Sequence, residues 1–209
     1  MIEFYTWSTP NGQKVSIMLE EVGLPYNVHT VNILKDEQFD PEFLAISPNN
    51  KIPAILDTEN DLALMESGAI LLYLAEKTGK LWPQESPAKW EVMQWLMWQM
   101  GGFGPMLGQA HHFLYYNKGK SDYAEERYAG EAARLWGVLD KRLADRPYVA
   151  GDYSVADISI WPWATRYESQ AIEPQNYPNV VRWYREIAER PAVQRGWFVP
   201  EREEGIPMP

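Results

Sequence analysis

Two hydrophobic periods divide the chain. Up to about residue 79, short apolar and β-branched runs alternate with helical stretches, and beyond residue 87 only the helical period remains. Ile2 to Trp7 reads as a short buried strand. Ser8-Thr9-Pro10-Asn11-Gly12 is turn chemistry, after which Val15, Met18, Leu19 and Val22 share one helix face that Gly23 terminates. Tyr26 to Ile33 reads as a second strand, so the short connections predict a right-handed parallel unit. A polar segment, Lys35 to Asp40, leads into a short helix over Pro41 to Ala45. The pattern then changes: a strand from Ile52 to Leu56, a turn from Thr58 to Asp61, a partner strand from Leu62 to Met65, and an apolar helix from Ser67 to Thr78 closed by Gly79.

The order βαβ, helix, ββα is that of a thioredoxin-like α/β domain spanning residues 1–79. Residues 80–87, with Pro83, Ser86 and Pro87, read as a linker to an all-α domain over 88–200. Trp90, Met93, Trp95 and Leu96 begin a long helix that Gly101, Gly102 and Pro105 are placed to bend. A second long helix runs from about Tyr123 to Leu143. Ser154-Val155-Ala156-Asp157 has capping-box spacing, with Asp in place of the commoner Glu or Gln, and opens an apolar helix to Ala164. Shorter helices follow Pro178 and Pro191, and the acidic, proline-containing tail 201–209 reads as poorly ordered.

Composition narrows the function classes. At 45% hydrophobic and 23% charged residues, the chain is of globular type. A net charge of −10 argues against a nucleic-acid partner, which needs a basic surface. The start MIEFYTW has no secretory pattern, and no apolar run approaches the roughly 18 residues of a membrane span, so a cytoplasmic protein is expected. With 0 Cys there are no disulfides, no thiolate metal site and no cysteine nucleophile. His111 and His112 are adjacent, hence about 100° apart on a helix, and do not make a metal site. The glycines at 101, 102, 104 and 108 miss dinucleotide spacing and suit close helix approach.

Three segments carry candidate chemistry. Thr9 and Asn11 sit at the start of the first helix, where free N–H groups and a positive helix end suit an anion such as a thiolate. A plain cap and turn would use the same residues. Pro53 opens a strand at a position where a cis bond would present the Ile52 backbone to an extended peptide, although an ordinary edge-strand proline fits equally. Glu66-Ser67 precedes the third helix, with Ser67 as N-cap; together they could hold an amino-acid zwitterion, or serve simply as a cap beside a solvated acid.

The segments TPNG, SPNNKIPAI and ESGAILLYLAEKTG resemble the glutathione transferase superfamily, as does the capping box in YSVADISIWPW. WQMGGFGPMLGQAHHF, with the Thr-Asn first loop, is most similar to the bacterial Nu class and to its relative, the yeast nitrogen-regulating prion protein. The resemblance implies glutathione as co-substrate, no metal, and a homodimer. It places Thr9 and Asn11 at the glutathione sulfur, Glu66 and Ser67 at the γ-glutamyl end, and Ile52 with cis Pro53 at the cysteinyl backbone. It also places Lys51 and Gln38 near the glycine carboxylate and Arg127 as a contact from the partner subunit. Ser8 remains an alternative sulfur ligand, whereas Tyr5 lies too early and belongs to the core. The implied activity is glutathione-dependent reduction of a small disulfide, with no protein cysteine. The alternatives are conjugation or peroxidase chemistry on electrophiles and hydroperoxides, and a non-catalytic glutathione-binding regulatory module.

Overall fold

The computed structural model describes residues 1–209 as two compact units, Met1–Trp82 with Arg190–Ile206, and Pro83–Glu189 with Pro207–Pro209. In the first, β1 (Ile2–Thr6), α1 (Pro10–Val22), β2 (Tyr26–Thr30), α2 (Pro41–Ile46), β3 (Ala54–Asp57), β4 (Leu62–Met65) and α3 (Ser67–Thr78) follow in order. A short 3-10 turn, Glu37–Phe39, precedes α2. The sheet order is β2-β1-β3-β4, with β1 parallel to β2, and β3 antiparallel to both β1 and β4. This is the thioredoxin-like domain that the pattern predicts. The second strand stops at Thr30 rather than Ile33, because Thr6, its partner, ends β1.

α1 is buried from Gly12 through Leu19, all round its circumference, since α3 packs on it from one side and the C-terminal helix α9 (Pro191–Trp197) from another. Gly12 has to be glycine: a Cβ there would lie 2.5 Å from both Thr6 Oγ1 and the Trp7 carbonyl. That close approach sets the start of α1 onto the end of β1.

The expected all-α domain over 88–200 is corrected at its end, because Arg190–Ile206 belongs to the first unit. A Cβ on Gly196 would meet Ile17 Cα at 2.7 Å, so α9 lies directly on α1. Ser16 Oγ donates to the Gly196 carbonyl at 2.7 Å, and Arg190 makes a paired contact with Glu21 at 2.7 and 2.9 Å. Trp197 is fully buried. The tail expected to be poorly ordered is instead tied down. Trp197 Nε1 donates to the Glu204 carbonyl, the Arg202 guanidinium sits 4.1 Å from the Trp197 ring, and Tyr184 Oη donates to the Pro207 carbonyl. Buried indole and phenol donors need acceptors, and the tail backbone supplies them.

The second unit is helical throughout: α4 (Ala88–Trp98), α5 (Gly104–His111), α6 (Asp122–Arg142), α7 (Val155–Ala164) and α8 (Pro178–Ala188). The bend expected at Gly101-Gly102 appears as a π-helical turn, Gln99–Phe103, between α4 and α5, and a second follows at His112–Tyr116. Gly104 and Gly108 give room to Trp163, whose ring would stand 3.3 and 3.2 Å from added Cβ atoms. Trp136, Trp161 and Trp183 fill the core. No helix is long and apolar enough to cross a membrane.

Candidate functional site

The strand register collects the candidate segments at one end of the sheet. Thr6 closes β1 opposite Thr30 of β2, Tyr5 pairs with Ala54, and Ala54 pairs with Met65. The loop after β1 (Trp7 to Thr9), the residues before β3 (Lys51 to Pro53) and those after β4 (Glu66 and Ser67) therefore leave the sheet at the same edge. The segment after β2, which carries Gln38, leaves there as well. Eight candidates thus lie on segments that leave the sheet at one edge. Arg127 lies exposed on α6 of the helical unit.

At the first corner Thr9 caps α1. Its backbone is extended (φ −132°, ψ 159°), and its Oγ1 accepts from the Gly12 N–H at 3.2 Å. The Thr9 O–H has no acceptor within the protein, so one hydroxyl both caps the helix and keeps a donor for a ligand. Pro10 and Asn11 form the first two positions of the helix, where its positive end lies.

At the second corner the Ile52–Pro53 peptide is cis and Pro53 is buried. Ile52 lies just outside the β3 ladder and packs on the Val31, Phe43 and Ala54 cluster. Lys51 is exposed, and its carbonyl accepts from Ser47 Oγ at 2.8 Å. Gln38 donates through Nε2 to Asp36 at 3.4 Å, while its Oε1 is buried with no partner.

At the third corner Ser67 is the first residue of α3 rather than its cap. The cap is Glu66, whose carbonyl accepts from the Ile70 N–H at 2.9 Å. Glu66 has φ 70° and ψ 112°, a region that costs a side-chain-bearing residue about 1–3 kcal/mol. The N–H groups of Ser67, Gly68 and Ala69 open the helix ahead of its first i−4 bond, beside the Ser67 hydroxyl, and offer an anion seat next to an exposed carboxylate.

Beneath this corner lies a residue that the sequence reading passes over. Lys14 is 1% exposed, and its Nζ donates to Ser67 Oγ at 3.2 Å. Burial pulls its ammonium down to about 7, opposed by the Glu66 carboxylate. A signal was present in the sequence: Lys14 falls in the i, i+4, i+8 row with Met18 and Val22, both buried.

A separate cavity of about 180 Å³ is lined by Tyr5, His29, Glu37, Asp40, Glu42 and Phe43, among others. Its carboxylates repel a ligand with two carboxylates of its own, so it does not compete for an anionic peptide. Tyr5, expected in the core, is instead half-buried there, stacked on His29 at 4.6 Å. No group of three or more His, Cys, Asp or Glu is placed to hold a metal ion.

Residues 9–77 match the family model described as "Glutathione S-transferase, N-terminal domain", and residues 102–191 match "Glutathione S-transferase, C-terminal domain". The chain belongs to the glutathione transferase family. Among its transferase relatives, the disulfide-bond oxidoreductase YfcG of Escherichia coli K12 is 50% identical over 198 residues, covering 92% of each chain. A glutathione transferase from Burkholderia graminis, crystallised with two glutathione molecules bound per subunit, superposes with a TM-score of 0.91. It is 45% identical, over 97% of this chain and 89% of its own. One from Pseudomonas putida, with one glutathione disulfide bound per subunit, superposes at 0.89 with 45% identity, over 95% of this chain and 91% of its own.

Proposed function

We propose that this transferase reduces small disulfides with glutathione as the electron donor, using the bound thiolate and no thiol of its own. The observation that carries the reading is a chain with 0 Cys whose first helix opens on a hydroxyl with an unclaimed proton. Thr9 Oγ1–H and the positive end of α1 favour the thiolate of glutathione over its thiol, and each unit of that preference corresponds to about 1.4 kcal/mol. Asn11 lies beside the same sulfur. Glu66 takes the γ-glutamyl ammonium, Ser67 and the first N–H groups of α3 take its carboxylate, and the Ile52 backbone beside cis Pro53 pairs with the cysteinyl unit. Lys51 and Gln38 stand toward the glycine carboxylate.

The reaction balances without a protein redox centre. The glutathione thiolate attacks one sulfur of the disulfide, forming a mixed disulfide and releasing the first thiolate. A second glutathione then attacks the glutathione sulfur of that intermediate, giving glutathione disulfide and releasing the second thiol. Two electrons pass from two glutathiones to one disulfide. Relatives crystallised with two glutathiones, or with glutathione disulfide, hold the reactants and the product that this cycle needs. The name of YfcG supports the same reading at 50% identity. We place the chain in the Nu class, as a cytoplasmic homodimer in which Arg127 reaches toward the neighbouring subunit's glutathione.

The test is steady-state reduction of hydroxyethyl disulfide by glutathione, coupled to glutathione reductase, beside conjugation of a chlorodinitrobenzene and reduction of cumene hydroperoxide. Disulfide turnover well above both other rates is expected. Dominant conjugation or peroxide reduction would replace the reading with ordinary transferase or peroxidase chemistry. Binding of glutathione with no turnover would replace it with a regulatory module.

A further inference from the structure

Lys14 has no part in the cycle above, yet its burial needs a reason. A fully buried ammonium is costly to desolvate even when it is paired, and a methionine would fill the same space on α1 without that cost. Its surroundings point one way. Ser67 Oγ accepts from it at 3.2 Å, and Glu66 is the carboxylate whose field favours its charged form. Among the other charges on or beside the elements packed against α1, Glu76 of α3 is exposed to solvent and several are engaged with one another. Glu20 pairs with Arg195, Glu21 with Arg190, Lys77 with Asp57 and Glu59, and Glu3 with His29.

In its ammonium form Lys14 has no lone pair, so in this contact the Ser67 oxygen accepts. A hydroxyl that accepts from a cation is also a stronger donor to an anion, because chained hydrogen bonds polarise one another. We infer that Lys14 is a positioning residue for the α-carboxylate at the γ-glutamyl end of glutathione, acting from inside the fold through the Ser67 hydroxyl. This rests on Glu66-Ser67 being the glutamyl seat, as proposed above. Lys14 orients the donor and places a positive charge behind it, so the seat prefers a carboxylate over a neutral group of the same shape. It touches no reacting atom.

The experiment compares two ligands by calorimetric titration: glutathione, and 4-aminobutanoyl-cysteinylglycine, which is glutathione without the α-carboxylate. The wild-type protein should bind glutathione about tenfold or more tightly than the analogue. Lys14→Met should cut that preference to about threefold or less, and raise KM for glutathione by more than kcat falls. Ser67→Ala should do the same, and the double variant should lose no more than either single one, because the two residues act as one relay. A purely structural lysine would weaken both ligands alike and leave their ratio untouched. A Lys14→Met protein that keeps the full wild-type preference overturns the role of Lys14 alone. A wild-type protein that does not distinguish the two ligands overturns the glutamyl seat as well, while disulfide turnover is scored separately. Lys14→Gln, which keeps a donor without the charge, carries the measurement should Lys14→Met not fold.

Discussion

Lys14 in the first unit and Asp157 in the second are both fully buried, and the two are treated in opposite ways. Asp157, at the start of α7, accepts from the Val149 N–H at 3.0 Å, the Ser154 N–H at 3.1 Å, Ser154 Oγ at 3.3 Å and Trp183 Nε1 at 2.9 Å. Burial pushes its carboxyl up to about 6 while those donors pull it back, so it stays ionised at neutral pH. It closes a capping box and links a loop, a helix start and a core tryptophan. Lys14, by contrast, stands under a corner of the sheet where the proposed ligand enters, with a serine hydroxyl in front of it and a carboxylate nearby. A buried charge whose donors all come from the fold is a structural clamp. One held toward the proposed binding corner costs the fold something, and in the proposed role it serves the ligand. Stability and function therefore respond differently to its removal.

The largest effect is expected on the clamp. Asp157→Ala leaves buried donors from two segments and an indole unpaired, and should cost about 4 kcal/mol in urea unfolding, with a visibly lowered Tm. If the loss is under about 1 kcal/mol, Asp157 is not the clamp described. Next comes the reaction centre. Thr9→Ala removes the proposed donor to the thiolate and should lower disulfide turnover about 100-fold, or about 2.7 kcal/mol of barrier, together with about 1 kcal/mol of capping stability. Full activity in Thr9→Ala would remove that residue from the mechanism.

Lys14→Met should move stability the other way. Its folded value of about 7 lies below the ordinary 10.5, so the unfolded chain binds the extra proton between these limits. Stability from this group is present above about 10.5 and is lost as pH falls through about 7. The methionine variant should thus be more stable than wild type at pH 6, by about 2 kcal/mol, with the gap shrinking toward pH 10. Parallel stability profiles for the two proteins would show that Lys14 is not held at a cost. The smallest effect belongs to an exposed pair: Arg195→Ala, which breaks the contact with Glu20 at 2.6 Å, should cost about 0.5 kcal/mol and fade in high salt. It marks how little a solvated charge contributes beside the two buried ones.

Much of this was legible from residues alone. The turn at Thr9-Pro10-Asn11, the stop at Gly23, the hairpin of β3 and β4, the span of α3 and the Ser154 capping box are local, each fixed by residues a few positions apart. Their chemistry is set by backbone sterics and neighbouring donors, which the chain carries with it wherever it folds. The zero cysteine count, too, decided in advance that any redox electrons come from a ligand.

Only the tertiary structure decided what long-range packing determines. Lys14 is hydrophilic by composition and becomes buried because α3 and α9 cover α1 from two sides. Helix α9 has an ordinary helical pattern. It joins the first unit because Gly196 admits the backbone of Ile17, 179 residues earlier in the chain, a fit that no local period encodes. Glu66 takes a positive φ because the β4-to-α3 junction holds it there, against its own preference. The sequence by itself determined which elements form and which chemistry is absent. The fold determined which of those elements meet, and so which lysine stands behind the serine.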